Sequence, residues 1–201
     1  MLCLVPTPIG NLEDISSRSL KVLEESELIF CEDTRVTKKL LNLLGEKYNL
    51  DFSNKEYKSF HSHNENQILK TLDKDTFSKN VVYVSDAGMP CVSDPGATLV
   101  DFCIKNQIPY DVLPGANAIL TAYAMSGFTQ TTFSFYGFLD HKGASRASKL
   151  DEILNDDKLS ILYESPHRLL KLLEELNEKE PNRTIFLAKE ITKLHQTTYK
   201  N

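Results

Sequence analysis

None of the four cysteines, Cys3, Cys31, Cys91 and Cys103, forms a C-x-x-C pair or has a histidine at metal-ligand spacing, which argues against a zinc ribbon or a dithiol redox centre. Cys3, Cys31 and Cys103 lie in apolar runs and read as small buried hydrophobes, reduced as expected in a cytoplasmic protein. No apolar run approaches the ~20 residues needed to span a bilayer, and the apolar start at residues 1–8 lacks the basic flank of a secretory signal. Neither G-x-G-x-x-G nor a lysine-bearing phosphate loop is present, which argues against a dinucleotide or a nucleoside triphosphate held in those ways. Positive charge is also scarce, with 23 Lys and Arg against 28 Asp and Glu. Proteins that grip nucleic acid along a broad face are usually basic, so any RNA contact must come from a local basic patch.

Hydrophobic residues make up 41% of the 201 and charged residues 25%, the composition of an ordinary globule. Short apolar runs alternate with helical patterns. Strands are predicted at 2–5, 28–31, 57–61, 81–85 and 110–113. Helices are predicted at 16–26, 34–44 (stopped by Gly45), 65–72, 97–105 and 116–125. After a polar stretch at 129–132 the rhythm resumes, with strands at 133–139, 159–164 and 184–188 and helices at 145–154 and 166–177. This βα alternation predicts parallel sheets covered by helices, in an N-terminal α/β domain over 1–128 and a C-terminal one over 129–201.

Four loops at predicted strand ends can carry chemistry, because ligands of parallel α/β sheets bind at the carboxyl ends of strands. Residues 6–14, PTPIGNLED, are either a rigid proline turn or a ligand loop. In Cys31-Glu-Asp-Thr-Arg35, Asp33 suits a helix cap, whereas Arg35 is unexpected at a helix start and fits a phosphate contact. Cys31 has no neighbouring base and reads as core rather than nucleophile. Ser85 to Gly96, SDAGMPCVSDPG, is rich in small residues that let backbone amides approach a ligand. Its end, Ser93-Asp94-Pro95, opens a helix whose amides suit a carboxylate. Leu113-Pro-Gly-Ala-Asn-Ala118 is a tight strand–helix junction or a further ligand turn. His61, His63 and Glu65 would share a face only on an unbroken strand; since a helix begins near Asn64, capping is favoured over metal binding. The loop His141-Lys-Gly-Ala-Ser-Arg146 is basic, and is either solvated or faces a cleft.

Taken together, Val5 to Ile15, Cys31 to Arg35, His61 to Glu65, Ser85 to Gly96, Pro114 to Ala116, Tyr163-Glu-Ser-Pro-His-Arg168 and Ala188-Lys-Glu-Ile-Thr-Lys193 resemble, in order and spacing, the tetrapyrrole methylase superfamily. Val5–Ile15 and Cys31–Arg35 look diagnostic of its branch that acts on small-subunit ribosomal RNA. The resemblance implies two consecutive α/β domains of the class III, tetrapyrrole-methylase-like type, with S-adenosyl-L-methionine in a cleft between them, and a cytoplasmic homodimer. It implies 2′-O-methylation of a cytidine ribose in 16S rRNA of the small ribosomal subunit, without DNA or membrane partners. Cofactor contacts carried over by position are Pro8, Asp86, Ala87, Gly88, Met89, Ser93, Asp94, Pro114, Gly115, Ala116, Phe138, Tyr163 and Lys189. Asp33, Arg35 and Glu65 are expected in catalysis; Arg18, Arg35, Lys38 and Arg146 are expected to hold RNA; no metal is expected. Relatives continue beyond the equivalent of Asn201 through a helix and a closing strand, so the second domain is expected to be incomplete, and Asp140-His141-Lys142 departs from the usual Pro-His/Arg-Lys. The alternatives are a protein that binds the cofactor or the ribosome without turnover, and a small-molecule tetrapyrrole methylase. A nucleotide hydrolase is the weakest alternative.

Overall fold

The computed structural model describes residues 1–201. Compact units divide at Ala118 and Ile119.

The first unit is built on five parallel strands, β1 (Leu2–Leu4), β2 (Leu28–Cys31), β3 (Glu56–Ser59), β4 (Val81–Val84) and β5 (Tyr110–Val112), in the order β3-β2-β4-β1-β5. β1, β2 and β4 are buried at every position. Their uninterrupted apolar sequences follow from burial on both faces of the sheet. Alternate residues serve two cores. Cys3, Ile29, Cys31, Val82 and Val84 meet Leu23 of α1 (Ser17–Glu25) and Leu41 and Leu44 of α2 (Thr34–Tyr48). Leu2, Leu4, Phe30, Val81 and Tyr83 meet Leu99 and Cys103 of α4 (Gly96–Lys105), with Ile68 and Leu69 of α3 (Glu65–Thr71) against them. The helix after β1 therefore covers one face, and the helix after β4 the other. β1 and β4 are adjacent, so a crevice opens between their carboxyl ends, the switch point where such sheets bind ligands.

α2 differs from the expected stop at Gly45. It runs to Tyr48 and ends on Asn49, whose φ of 55° supplies the left-handed cap. Gly45 is inside the helix for space, since a Cβ there would lie 2.9 Å from the Leu50 carbonyl oxygen.

The second unit pairs β6 (Phe133–Phe138) with β7 (Leu159–Tyr163) in parallel, flanked by α6 (Ala144–Asn155) and α7 (Leu169–Lys179). Its core is Leu139, Leu150, Ile153, Leu172 and Leu176. β8 (Phe186–Lys189) pairs antiparallel with β9 (Thr197–Lys200) in a separate ribbon. β9 was not expected: every residue in it is exposed, and it carries no apolar alternation to mark it. α5 (Ala118–Ser126) lies before the boundary expected near residue 128, yet it groups with this unit. The Tyr123 hydroxyl donates to the Gln130 carbonyl, and the Lys200 ammonium donates to the Ser126 carbonyl at 2.8 Å. No helix is long and apolar enough to cross a membrane.

Candidate active site

The loops after β1, β2, β4 and β5 are knitted together at the switch point. Thr7 and Gly88 exchange backbone hydrogen bonds, both 3.0 Å, across the first and third loops. The Thr7 hydroxyl accepts from the Gly88 amide and donates to the Ser85 carbonyl. Gly88 takes φ +89°, a conformation that only glycine adopts without strain. Any Cβ there would stand 2.9 Å from Ile9 Cγ2. Gly115 of the fourth loop has no room either, because its Cβ would come within 2.5 Å of Pro6 Cβ. Pro8 is buried beneath this junction, while Asp86, Ala87, Pro114 and Gly115 are exposed around it.

Two carboxylates cross-link the second and third loops. Glu32 Oε1 accepts from the Asp86 amide at 3.0 Å, and Asp86 Oδ1 accepts from the Asp33 amide at 3.1 Å. Partial desolvation pushes both carboxyls upward, and at Asp86 the hydrogen bond from the Asp33 amide works against that push while the Asp33 charge works with it. Asp33 goes the other way. Its Oδ1 caps α2 through the Arg35 amide at 2.8 Å, and the Arg35 guanidinium folds back onto the same carboxylate at 2.6 Å. That guanidinium holds Asp33 at about 2. The cap was legible in the sequence, and the arginine unexpected at a helix start is the partner of that cap.

Asp94 organises the rest of the third loop. Oδ1 accepts from the Cys91 and Gly96 amides and from the Tyr83 hydroxyl at 2.9 Å, and Oδ2 accepts from the Val92 amide. The amides expected to receive a ligand carboxylate thus include one already held by the chain's own aspartate, a correction to that expectation. The knot holds Cys91 and Ser93 at φ 69° and 92°, conformations that cost side-chain-bearing residues about 1–3 kcal/mol each. Tyr83 is fully buried, and burial with the Asp94 charge drives its phenol far upward, so it acts as a donor. Met89 is half-buried between these contacts. Thr7, Glu32 and Tyr83 were not singled out by the sequence, because their roles depend on partners more than ten residues away or on another strand.

Of the other expected residues, Glu65 accepts from the Thr98 hydroxyl at 2.8 Å, linking α3 to α4. Asn64 Oδ1 accepts from the His61 amide, and His61 Nδ1 accepts from the His63 amide, so this segment is a hydrogen-bonded turn before α3, whose first amides receive no side-chain cap from Asn64, a correction to the expected capping role. Arg18 pairs on the surface with Asp111, and the Lys38 ammonium lies 4.9 Å from the Tyr57 ring centre. Ala116 and Lys189 are half-buried and exposed, respectively. Arg146 overturns its assignment as an RNA contact. It is 3% exposed, and its guanidinium is held by Glu175 at 2.6 Å and by the Asp140 carbonyl at 3.0 Å. Nothing in the local sequence marks this, since Glu175 lies on the next helix but one strand away.

The loops carry small residues packed tightly on one another, and a Cβ at Gly115 or Gly88 would collide with Pro6 or Ile9 and push the loops apart. The tetrapyrrole (corrin/porphyrin) methylase profile matches residues 1–201, and the chain belongs to that family. Within it, the chain is 49% identical over 202 residues to ribosomal RNA small subunit methyltransferase I of Campylobacter fetus, covering 100% of this chain and 74% of that protein. The protein of the same name from Helicobacter pylori is 46% identical, with 99% and 74% covered, and that from Thermotoga maritima 42%, with 99% and 86% covered. Among solved structures, a uroporphyrin-III C-methyltransferase from Thermus thermophilus complexed with S-adenosyl homocysteine superposes with a TM-score of 0.65 at 16% identity, covering 100% of this chain and 87% of that one. The methyltransferase CobJ gives 0.67 at 19%, covering 100% and 85%. At those identities the likeness speaks for the fold alone.

Proposed function

We propose that the chain is an S-adenosyl-L-methionine-dependent methyltransferase of small-subunit ribosomal RNA, and that it methylates the 2′-oxygen of a cytidine ribose in 16S rRNA. The observation that carries the reading is the 49% identity to a ribosomal RNA small subunit methyltransferase along the whole chain, which favours RNA over a tetrapyrrole as substrate. When bound, the cofactor supplies an electrophilic methyl group. The protein's part is to hold donor and acceptor in line, an orientation effect that supplies much of the rate.

The proposed donor contacts in the first unit are Pro8, Asp86 to Met89, Ser93 and Pro114 to Ala116, with Asp94 fixing the loop from behind. In the second unit they are Phe138, Tyr163 and Lys189. Asp33, held at about 2 by Arg35, is too weak a base to take a hydroxyl proton near neutral pH. Glu65 is engaged by Thr98. Asp86 suits the role better: its carboxyl is pushed upward by burial, its Oδ1 is anchored by the Asp33 amide, and no protein group bonds Oδ2. Arg35, 89% exposed, and Lys38, one turn further along α2, are proposed to meet RNA phosphates, with Arg18 a separate contact beside Asp111 at the other edge of the sheet. A flipped-out nucleotide, told from DNA by its 2′-hydroxyl, fits such a crevice. A cytoplasmic homodimer is part of the same reading and rests on the motif resemblance.

The test is methyl transfer from labelled S-adenosyl-L-methionine to small ribosomal subunits, with the modified site mapped by resistance of its 3′-phosphodiester bond to alkali. Label on one cytidine ribose is the expected result. Label on a base, transfer to a tetrapyrrole, or cofactor binding without transfer each rejects it.

A further inference from the structure

Beyond Tyr163, the motif Tyr163-Glu-Ser-Pro-His-Arg168 is not absorbed by the contacts above, and in the structure its Glu164 and Arg168 build a buried ion cluster. The Glu164 side chain is 5% exposed and pairs with Arg168 at 2.7 Å and Arg146 at 3.6 Å. Arg146 also grips Glu175. Each arginine has a further donor directed at the backbone. Arg168 donates to the Leu139 carbonyl at 2.9 Å, and Arg146 donates to the Asp140 carbonyl at 3.0 Å. A buried ion cluster is a costly way to hold a fold, and well-packed apolar residues often do it as well. What this one adds is geometry.

Leu139 directly follows Phe138, and Glu164 directly follows Tyr163. Phe138 and Tyr163 are register partners at the carboxyl ends of β6 and β7, with ring centres 5.3 Å apart. The register shifts between Phe135 and Phe138, where Gly137 has φ +65°. Such a bulge re-aims the side chain that follows it. Phe138 emerges 57% exposed, although it is a large aromatic. The ion cluster thus ties down the residues immediately after both rings. We propose that Arg168, acting with Glu164 and Arg146, is a positioning residue that locks Phe138 and Tyr163 into a rigid aromatic wall for the purine ring of the methyl donor. This rests on the donor reading given above.

The discriminating variant is Arg168→Lys. Lysine keeps one charge for Glu164 but lacks the planar fork that reaches Glu164 and the Leu139 carbonyl at once. Titration calorimetry with S-adenosylhomocysteine, with thermal unfolding in parallel, is run on the wild type, R168K and a core control, L172A. The expected result is a Kd raised about tenfold or more in R168K, the scale of one charge-assisted hydrogen bond. Turnover at saturating donor should be retained, and L172A, although less stable, should bind more tightly than R168K. Wild-type affinity in R168K overturns the proposal. So does an R168K loss that L172A matches at equal loss of melting temperature, since that marks a merely structural role. Failure of the wild type itself to bind rejects the donor reading, and this proposal with it.

Discussion

The two units hold their candidate ligand loops by opposite means. In the first, the loops rest on a five-stranded sheet with fully buried central strands. They are fixed by backbone exchange between Thr7 and Gly88, by the close approach of Pro6 to Gly115, and by carboxylates that accept from amides. In the second, β6 and β7 are only half-buried, the core has five buried residues, and the loop after β6 is tied by paired charges. A large core fixes strand ends by packing, so its loops need only short local contacts, carboxylates on neighbouring amides among them. A small core cannot, and long arginines reach across to do it.

This contrast exposes the second unit to core damage most. Leu172→Ala removes a 4% exposed side chain from that small cluster and is expected to cost about 2–5 kcal/mol. Hydrogen exchange should show α6, α7, β6 and β7 losing protection while β1, β2 and β4 keep theirs. Simultaneous loss in both would mean that they unfold as one, and the contrast would fall. Gly115→Ala probes the other side. The added Cβ meets Pro6 at 2.5 Å, an overpacking that costs about 1–3 kcal/mol. Here the expected signature is local: donor affinity falls while exchange in the second unit is unchanged. Unaltered affinity would show that the fit of the first and fourth loops does not matter to the ligand.

The same contrast explains how much could be read from the chain. The first unit was legible because its strands are apolar throughout and its loops carry glycines and prolines at strand ends. β2 matches its expected span, and Asp33 caps α2 as its place before the helix suggests. What failed was anything decided by distant partners. Gly45 looks like a helix stop, yet its role is set by Leu50 and Phe52 packing over it. Asp94 looks like a ligand contact, yet its oxygens are taken by Tyr83 and three amides. Arg146 looks like part of a solvated basic loop, and is buried only because Glu164 and Glu175 arrive from later elements. β9 has no apolar pattern, so only its pairing with β8 defines it.

The smallest expected effect separates the two kinds of anchoring by salt. Asp33 and Asp156 are both held at about 2, below the 3.8 of a free aspartate. A carboxyl lowered on folding stabilises the fold above its unfolded value, and that contribution drains away as pH falls through about 2. Both should therefore be fully effective at pH 5 and lost in strong acid. Their causes differ. Asp33 owes its shift first to the Arg35 guanidinium, on the surface. Asp156 owes its shift to the Ser134 hydroxyl at 2.6 Å, the Tyr136 hydroxyl at 2.7 Å and the Lys158 amide, bonds that tie β6 to the segment entering β7. Salt screens an exposed ion pair and leaves hydrogen bonds from neutral donors nearly untouched. Carboxyl-detected NMR titration in low and in molar salt should move the Asp33 midpoint upward and leave that of Asp156 in place. Equal movement of both would mean that Asp156 too is held by charge, and that the Ser134 and Tyr136 hydroxyls do not set its midpoint.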